Sequence, residues 1–138
     1  MTNTIDTKIT FVIILTNLLI GNGILFLGGK NSFGESVNYP LMIGMSITCT
    51  IFYLLFFKYS NYESYSNLKL ILLSILSCMV IIFFGNVLAL FIKEPINEVL
   101  NNLVATIFMG IVGNIILLPI SIALGLLNYG IITFLKTR

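Results

Sequence analysis

Residues 103–135 include no charged side chain, and a straight helix over that run would measure roughly 50 Å. That is longer than the roughly 30 Å hydrocarbon core of a bilayer. Three further stretches, residues 9–29, 40–57 and 70–92, are also free of charge, each close to the about 20 residues that one membrane crossing needs. Water is the wrong solvent for such a surface. Of 138 residues, 58% are hydrophobic and 9% charged, against about 25% charged in a soluble domain. A domain of this size leaves roughly a third of its chain surface exposed, and seven basic and five acidic residues cannot cover it. The chain is therefore expected to be an all-α integral membrane protein with a single transmembrane domain over residues 1–138.

The spans have local signals. Pro40 suits the first turn of the second span, where its missing N–H is not needed. In the last run Pro119 removes a backbone donor and crowds the preceding turn, and Gly125 and Gly130 add freedom, so a kink or break near 119 is expected. Two full crossings would have only about 16 residues each, short of a normal span. The expected architecture is a four-transmembrane-helix bundle whose long last helix is kinked near Pro119. The first span is too long for the 7–15-residue apolar core of a signal peptide and lacks a small-x-small cleavage site. It is expected to be retained.

Positive residues stay on the cytoplasmic side. With four spans, Lys8, Lys58, Lys69, Lys136 and Arg138 share one side, and Lys30 and Lys93 the other. Both termini are then cytoplasmic in a bacterial inner membrane, and Glu35, Glu94 and Glu98 face outward. Tyr59, Tyr62 and Tyr65, in the inner loop, are expected as interfacial rings.

Chemistry is scarce in the spans. There is no His and no Trp, and all twelve charges lie at span ends or in loops, so a proton relay or ion path built on ionisable groups has no parts. Ser46, Ser74, Ser77 and Ser121 lie in spans, but a serine nucleophile needs a base within reach. They are expected to bond their own helix backbone. Glu94 and Glu98 fall four apart around Pro95 and are expected to share a solvated helix start. Cys49 and Cys78 are expected as small packing residues. An enzyme is not expected, nor a cofactor, a metal or a nucleic-acid partner.

Uncharged polarity and small residues remain. Asn17, Asn22, Asn86, Asn114 and Asn128 sit in apolar surroundings and are expected to point into the bundle, because an amide facing lipid leaves its groups unmet. Thr106, Gly110 and Asn114 recur at i,i+4 with Gly113 beside them, and Ser121 and Gly125 follow. Rows of this kind let helix backbones approach closely in lipid. Asn86, Gly110, Gly113, Asn114 and Pro119 are therefore the candidate packing or partner-binding face. The alternatives are a small oligomeric channel or transporter subunit, in which neutral amides line a path, and a structural subunit of a larger membrane complex.

The segment Asn114-Ile-Ile-Leu-Leu-Pro119-Ile-Ser121, the aliphatic run after it and the basic tail Lys136-Thr-Arg138 resemble the last span of small inner-membrane immunity proteins against pore-forming colicins. The resemblance covers about 25 residues, and that family differs in having three spans and a more charged cytoplasmic loop. It implies a protein that packs against a toxin's hydrophobic hairpin in the bilayer and blocks the pore. Close-packing faces and a few amides suffice for that task.

Overall fold

The computed structural model describes residues 4–32 and 37–136; Glu35, Ser36 and Arg138 lie outside them. Its regular structure is helical: α1 (Thr4–Ser32), α2 (Tyr39–Tyr59), a 3-10 turn (Tyr62–Ser64), α3 (Asn67–Lys93), α4 (Ile96–Ile116) and α5 (Leu118–Lys136). Among the described residues five helices are long and apolar enough to cross a membrane. Large apolar side chains face outward on every one of them, among them Phe11 at 65% exposure, Ile51 at 53%, Leu72 at 58%, Val104 at 77% and Phe134 at 56%. Soluble monomers do not carry apolar surface on this scale.

The helix boundaries follow from local chemistry. The Asn38 side chain accepts from the Leu41 N–H and Pro40 occupies the first turn of α2. The Ser66 side chain accepts from the Lys69 N–H to start α3, satisfying a donor that the helix itself cannot.

The apolar run after residue 103 differs from its expected form. It begins earlier, at Ile96 behind an extended Pro95, and it is two helices that meet at Leu117, where φ is −88° and ψ 6°. Pro119 follows two residues after this turn, and it has no N–H to donate to the carbonyl four residues back. The Leu117 N–H turns to the Gly113 and Ile115 carbonyls, and the next turn restarts with Ser121 N–H on Leu117 O.

The two halves nevertheless share one neighbour. Asn102 meets Glu94 and Gly110 lies against Phe83, so α4 follows the C-terminal half of α3 in the opposite direction. Gly125 lies against Ile75, and Lys136 Nζ donates to the Glu63 carbonyl just before α3, so α5 follows the other half. Thr7, Thr10 and Phe11 line one cavity with Leu54, Phe57 and Lys58. The start of α1, the α2–α3 connection and the end of α5 therefore lie at the same end of the bundle.

Two close approaches hold the layers. A Cβ on Gly44 would stand 2.5 Å from Gly85 O and 2.9 Å from Ala89 N, which makes α2 and α3 touch through their backbones. A Cβ on Gly125 would stand 2.7 Å from Ile75 Cα, so α5 rests directly on α3. Gly85 and Ala89 form a small-xxx-small pair on α3, the motif that allows such contact in lipid. The main apolar core joins Ile9 and Ile13 to Tyr53, Phe57, Leu70 and Ile132.

Tyr62, expected among the interfacial rings, is instead part of this core, 2% exposed and edge-on to Phe57 with centroids 5.1 Å apart. The 3-10 turn folds it inward under Lys136, whose ammonium lies 5.8 Å from the ring centroid. Tyr59 is exposed and Tyr65 half-buried beneath Lys69.

Candidate functional site

Each asparagine in the spans has a definite position. Asn17, on α1, is tied to its own helix by donating to Ile13 O at 2.8 Å, and it exchanges amide hydrogen bonds with Asn128 of α5, at 2.7 Å one way and 3.3 Å the other. Asn128 also donates toward the Tyr53 hydroxyl of α2 at 2.8 Å and lies 3.7 Å from Cys78 Sγ of α3. One amide thus joins four helices, and it is 1% exposed. Asn22 and Ser46 exchange hydrogen bonds between α1 and α2. The expectation that these amides face inward holds for Asn17, Asn114 and Asn128, which are buried; Asn22 and Asn86 are half-buried.

The predicted packing face divides. Gly110 is buried, and a Cβ there would meet the Phe83 ring at 3.2 Å, so this glycine serves the α3–α4 contact. Asn114 is 8% exposed and donates to Gly110 O at 3.0 Å, but its Oδ1 has no hydrogen-bond partner among the described residues. It borders a groove of about 310 Å³ between α3 and α4, lined by Met79, Val80, Phe83, Phe84, Ile111 and Ile115. Gly113, the preceding residue of α4, is half-buried and outside that groove's lining, and has nothing within 4 Å of where a Cβ would stand. Pro119 is exposed at the start of α5. Asn86 belongs elsewhere: it donates to Ile82 O and lines a separate cleft at the far end of α3.

Two expectations fail. Ser77 bonds its helix backbone through Leu73 O at 2.7 Å, as a helical serine should, but Ser121 is fully buried and its hydroxyl finds no partner among the described residues. Glu94 and Glu98 do not share a helix, because Glu94 caps the end of α3 with extended backbone and Glu98 lies in the first turn of α4. Pro95 enforces the separation by biasing the residue before it away from helix. Glu94 instead accepts from Asn102 Nδ2 at 2.5 Å.

Against known proteins, the chain matches no family model, no curated protein and no solved structure. The functional reading rests on the geometry.

What this arrangement can do is limited and specific. Among the described residues no group of three or more Cys, Asp or Glu is placed to hold a metal ion. Cys49 and Cys78 are both buried and line a small cavity of about 90 Å³ whose other walls are mainly apolar, including Leu18, Ile24, Ile81 and Ile120. The amides of Asn17, Asn22 and Asn128 join helices, Ser77 bonds its own helix, and Ser60 Oγ, Asn114 Oδ1 and Ser121 Oγ are buried without a partner among the described residues. Tyr53 and Cys78 were not singled out by sequence as amide partners. Their i,i+4 neighbours are aromatic and aliphatic, and only the register of α2 and α3 reveals that both face Asn128.

Proposed function

We propose that this chain is a non-enzymatic bacterial inner-membrane protein that recognises helices of a partner within the bilayer, acting as an immunity protein against a pore-forming toxin. The observation that carries the reading is Asn114 Oδ1, a buried acceptor without a partner among the described residues, beside an apolar groove between α3 and α4. In lipid, helix association depends on close packing and interhelical hydrogen bonds. A helix carrying a hydroxyl or amide donor would supply both here. The interior cavity of about 90 Å³ gives a polar solute little to coordinate, which speaks against conduction through one copy.

The same proposal sets the topology. Four crossings, with α4 and α5 together making the last, bring both termini and the α2–α3 connection to one side, in keeping with the shared end of the bundle described above. Lys8, Lys58, Lys69, Lys136 and Arg138 make that side cytoplasmic. In a chain with Cys49→Ala and Cys78→Ala, a membrane-impermeant maleimide is expected to label Asn97→Cys in intact cells, and Ser64→Cys and Thr137→Cys only after permeabilisation. Labelling of Ser64→Cys and Thr137→Cys from opposite sides would mean five crossings and would refute the topology.

The functional test challenges cells with pore-forming toxins of the colicin class. Cells expressing the chain are expected to survive one such toxin, and Asn114→Leu, which removes the unpartnered acceptor at the groove, to remove protection at an unchanged membrane level. Protection that survives Asn114→Leu would place recognition elsewhere, and no protection by the wild-type chain against any of them would end the proposal.

A further inference from the structure

At the end of the bundle away from the termini, α2, α3 and α4 enclose a cleft of about 400 Å³ lined by Asn38, Pro40, Asn86, Lys93, Glu94 and Asn102, with Ala89, Ala105 and Thr106 deeper in. That volume is within the range of sites that hold small ligands. Its polarity is graded. Lys93 and Glu94, consecutive in sequence, stand at the mouth where α3 ends, at the level of lipid headgroups if α3 crosses the bilayer. Asn102 fixes the Glu94 carboxylate, and among the described residues no ion pair joins Lys93 to a carboxylate. The cation and the anion thus line one cleft without neutralising each other. Asn86 is seven residues below Lys93 on the same helix, roughly 10 Å deeper, where an amide can meet ester groups, and the alanines and Leu41 leave apolar room beside it.

We infer that this cleft holds the headgroup of a membrane phospholipid of the phosphoethanolamine type, with Lys93 on the phosphate, the Asn102-held Glu94 carboxylate on the primary ammonium, and Asn86 and Thr106 toward the glycerol esters. A zwitterion with both a phosphate and an ammonium that can donate hydrogen bonds matches the pair of opposite charges. The charged mouth and apolar floor match a lipid in the bilayer better than a free solute. This site does not depend on the toxin-immunity reading.

The test is native mass spectrometry of the full chain in detergent with an equimolar mixture of phosphatidylethanolamine, phosphatidylglycerol and phosphatidylcholine. The first is expected to be retained about tenfold over the other two, the effect of one charge-assisted hydrogen-bonded pair. Glu94→Gln should bring it down to the level of phosphatidylglycerol, and Lys93→Gln should lower retention of all three. Lys69→Gln, at the opposite end, should change nothing. Equal retention of the three lipids by the wild-type chain, or a preference that survives Glu94→Gln, would overturn the assignment. Displacement by water-soluble glycerophosphoethanolamine at equal concentration would overturn the lipid as its source.

Discussion

Gly125→Leu is expected to cost about 3 kcal/mol or more of bundle stability, the upper end of what overpacking costs. Even the first carbon of a new side chain would stand 2.7 Å from Ile75 Cα and 2.8 Å from Ile75 N. Backbone atoms in the middle of α3 cannot swing aside as a side chain does, so α5 must lift away. Lifting it would also pull Asn128, one turn further along α5, out of the amide network. Titration into an unfolding detergent, followed by helical circular dichroism, should show the loss as a transition at much lower denaturant. Gly130→Leu is the control, because nothing lies within 4 Å of its Cβ position, and it should stay within about 0.5 kcal/mol of wild type. Equal effects at the two positions would mean that α5 does not rest on α3 as described.

Asn128→Leu has the second largest expected effect. The leucine would leave the Asn17 carbonyl and amide, and the Tyr53 hydroxyl, without the partner that now joins them at 2.7–3.3 Å. A buried polar group stranded in this way costs about 1–3 kcal/mol. The cycle formed with Asn17→Leu is more telling than the single change. If the two amides serve each other, removing both should cost less than the sum of the single losses by about 0.6–2 kcal/mol, the range of interhelical hydrogen bonds in membranes. Strict additivity would show that they do not interact. Asn22→Leu, whose partner Ser46 is not bonded to Asn17, Tyr53 or Asn128, should be additive with Asn128→Leu.

Much of this fold is legible in the sequence because lipid imposes simple demands. The absence of charge over residues 9–29, 40–57 and 70–92 marks α1, α2 and α3, and Pro40 marks a helix start by its missing N–H. The amides at Asn17, Asn114 and Asn128 are readable as inward-facing for the same reason that lipid cannot satisfy them. Which group each amide meets is not readable, since Asn17 and Asn128 are brought together only by the antiparallel register of the first and last helices. The close crossings show both sides of this. Gly85 and Ala89 carry a small-xxx-small signal visible in the sequence, as does the row around Gly110, while the need for glycine at Gly44 appears only when the facing backbone is in place. Tyr62 and Glu94 mislead because a sequence position near a span end says nothing about a 3-10 turn that folds a ring inward, or about Pro95 ending one helix before the next begins.

The candidate face is legible as a composition and not as a surface. Gly110 and Gly113 look alike in sequence, yet one is consumed by Phe83 and the other is uncovered. The unpartnered Asn114 Oδ1 beside the α3–α4 groove gives the recognition proposal its location. Liposomes loaded with a self-quenching dye test its central claim most directly. The purified chain alone should release no dye, and when reconstituted beforehand it should suppress release caused by a pore-forming toxin of the colicin class against which it protects cells. Release by the chain alone, or unimpeded release by the toxin in its presence, would contradict the account.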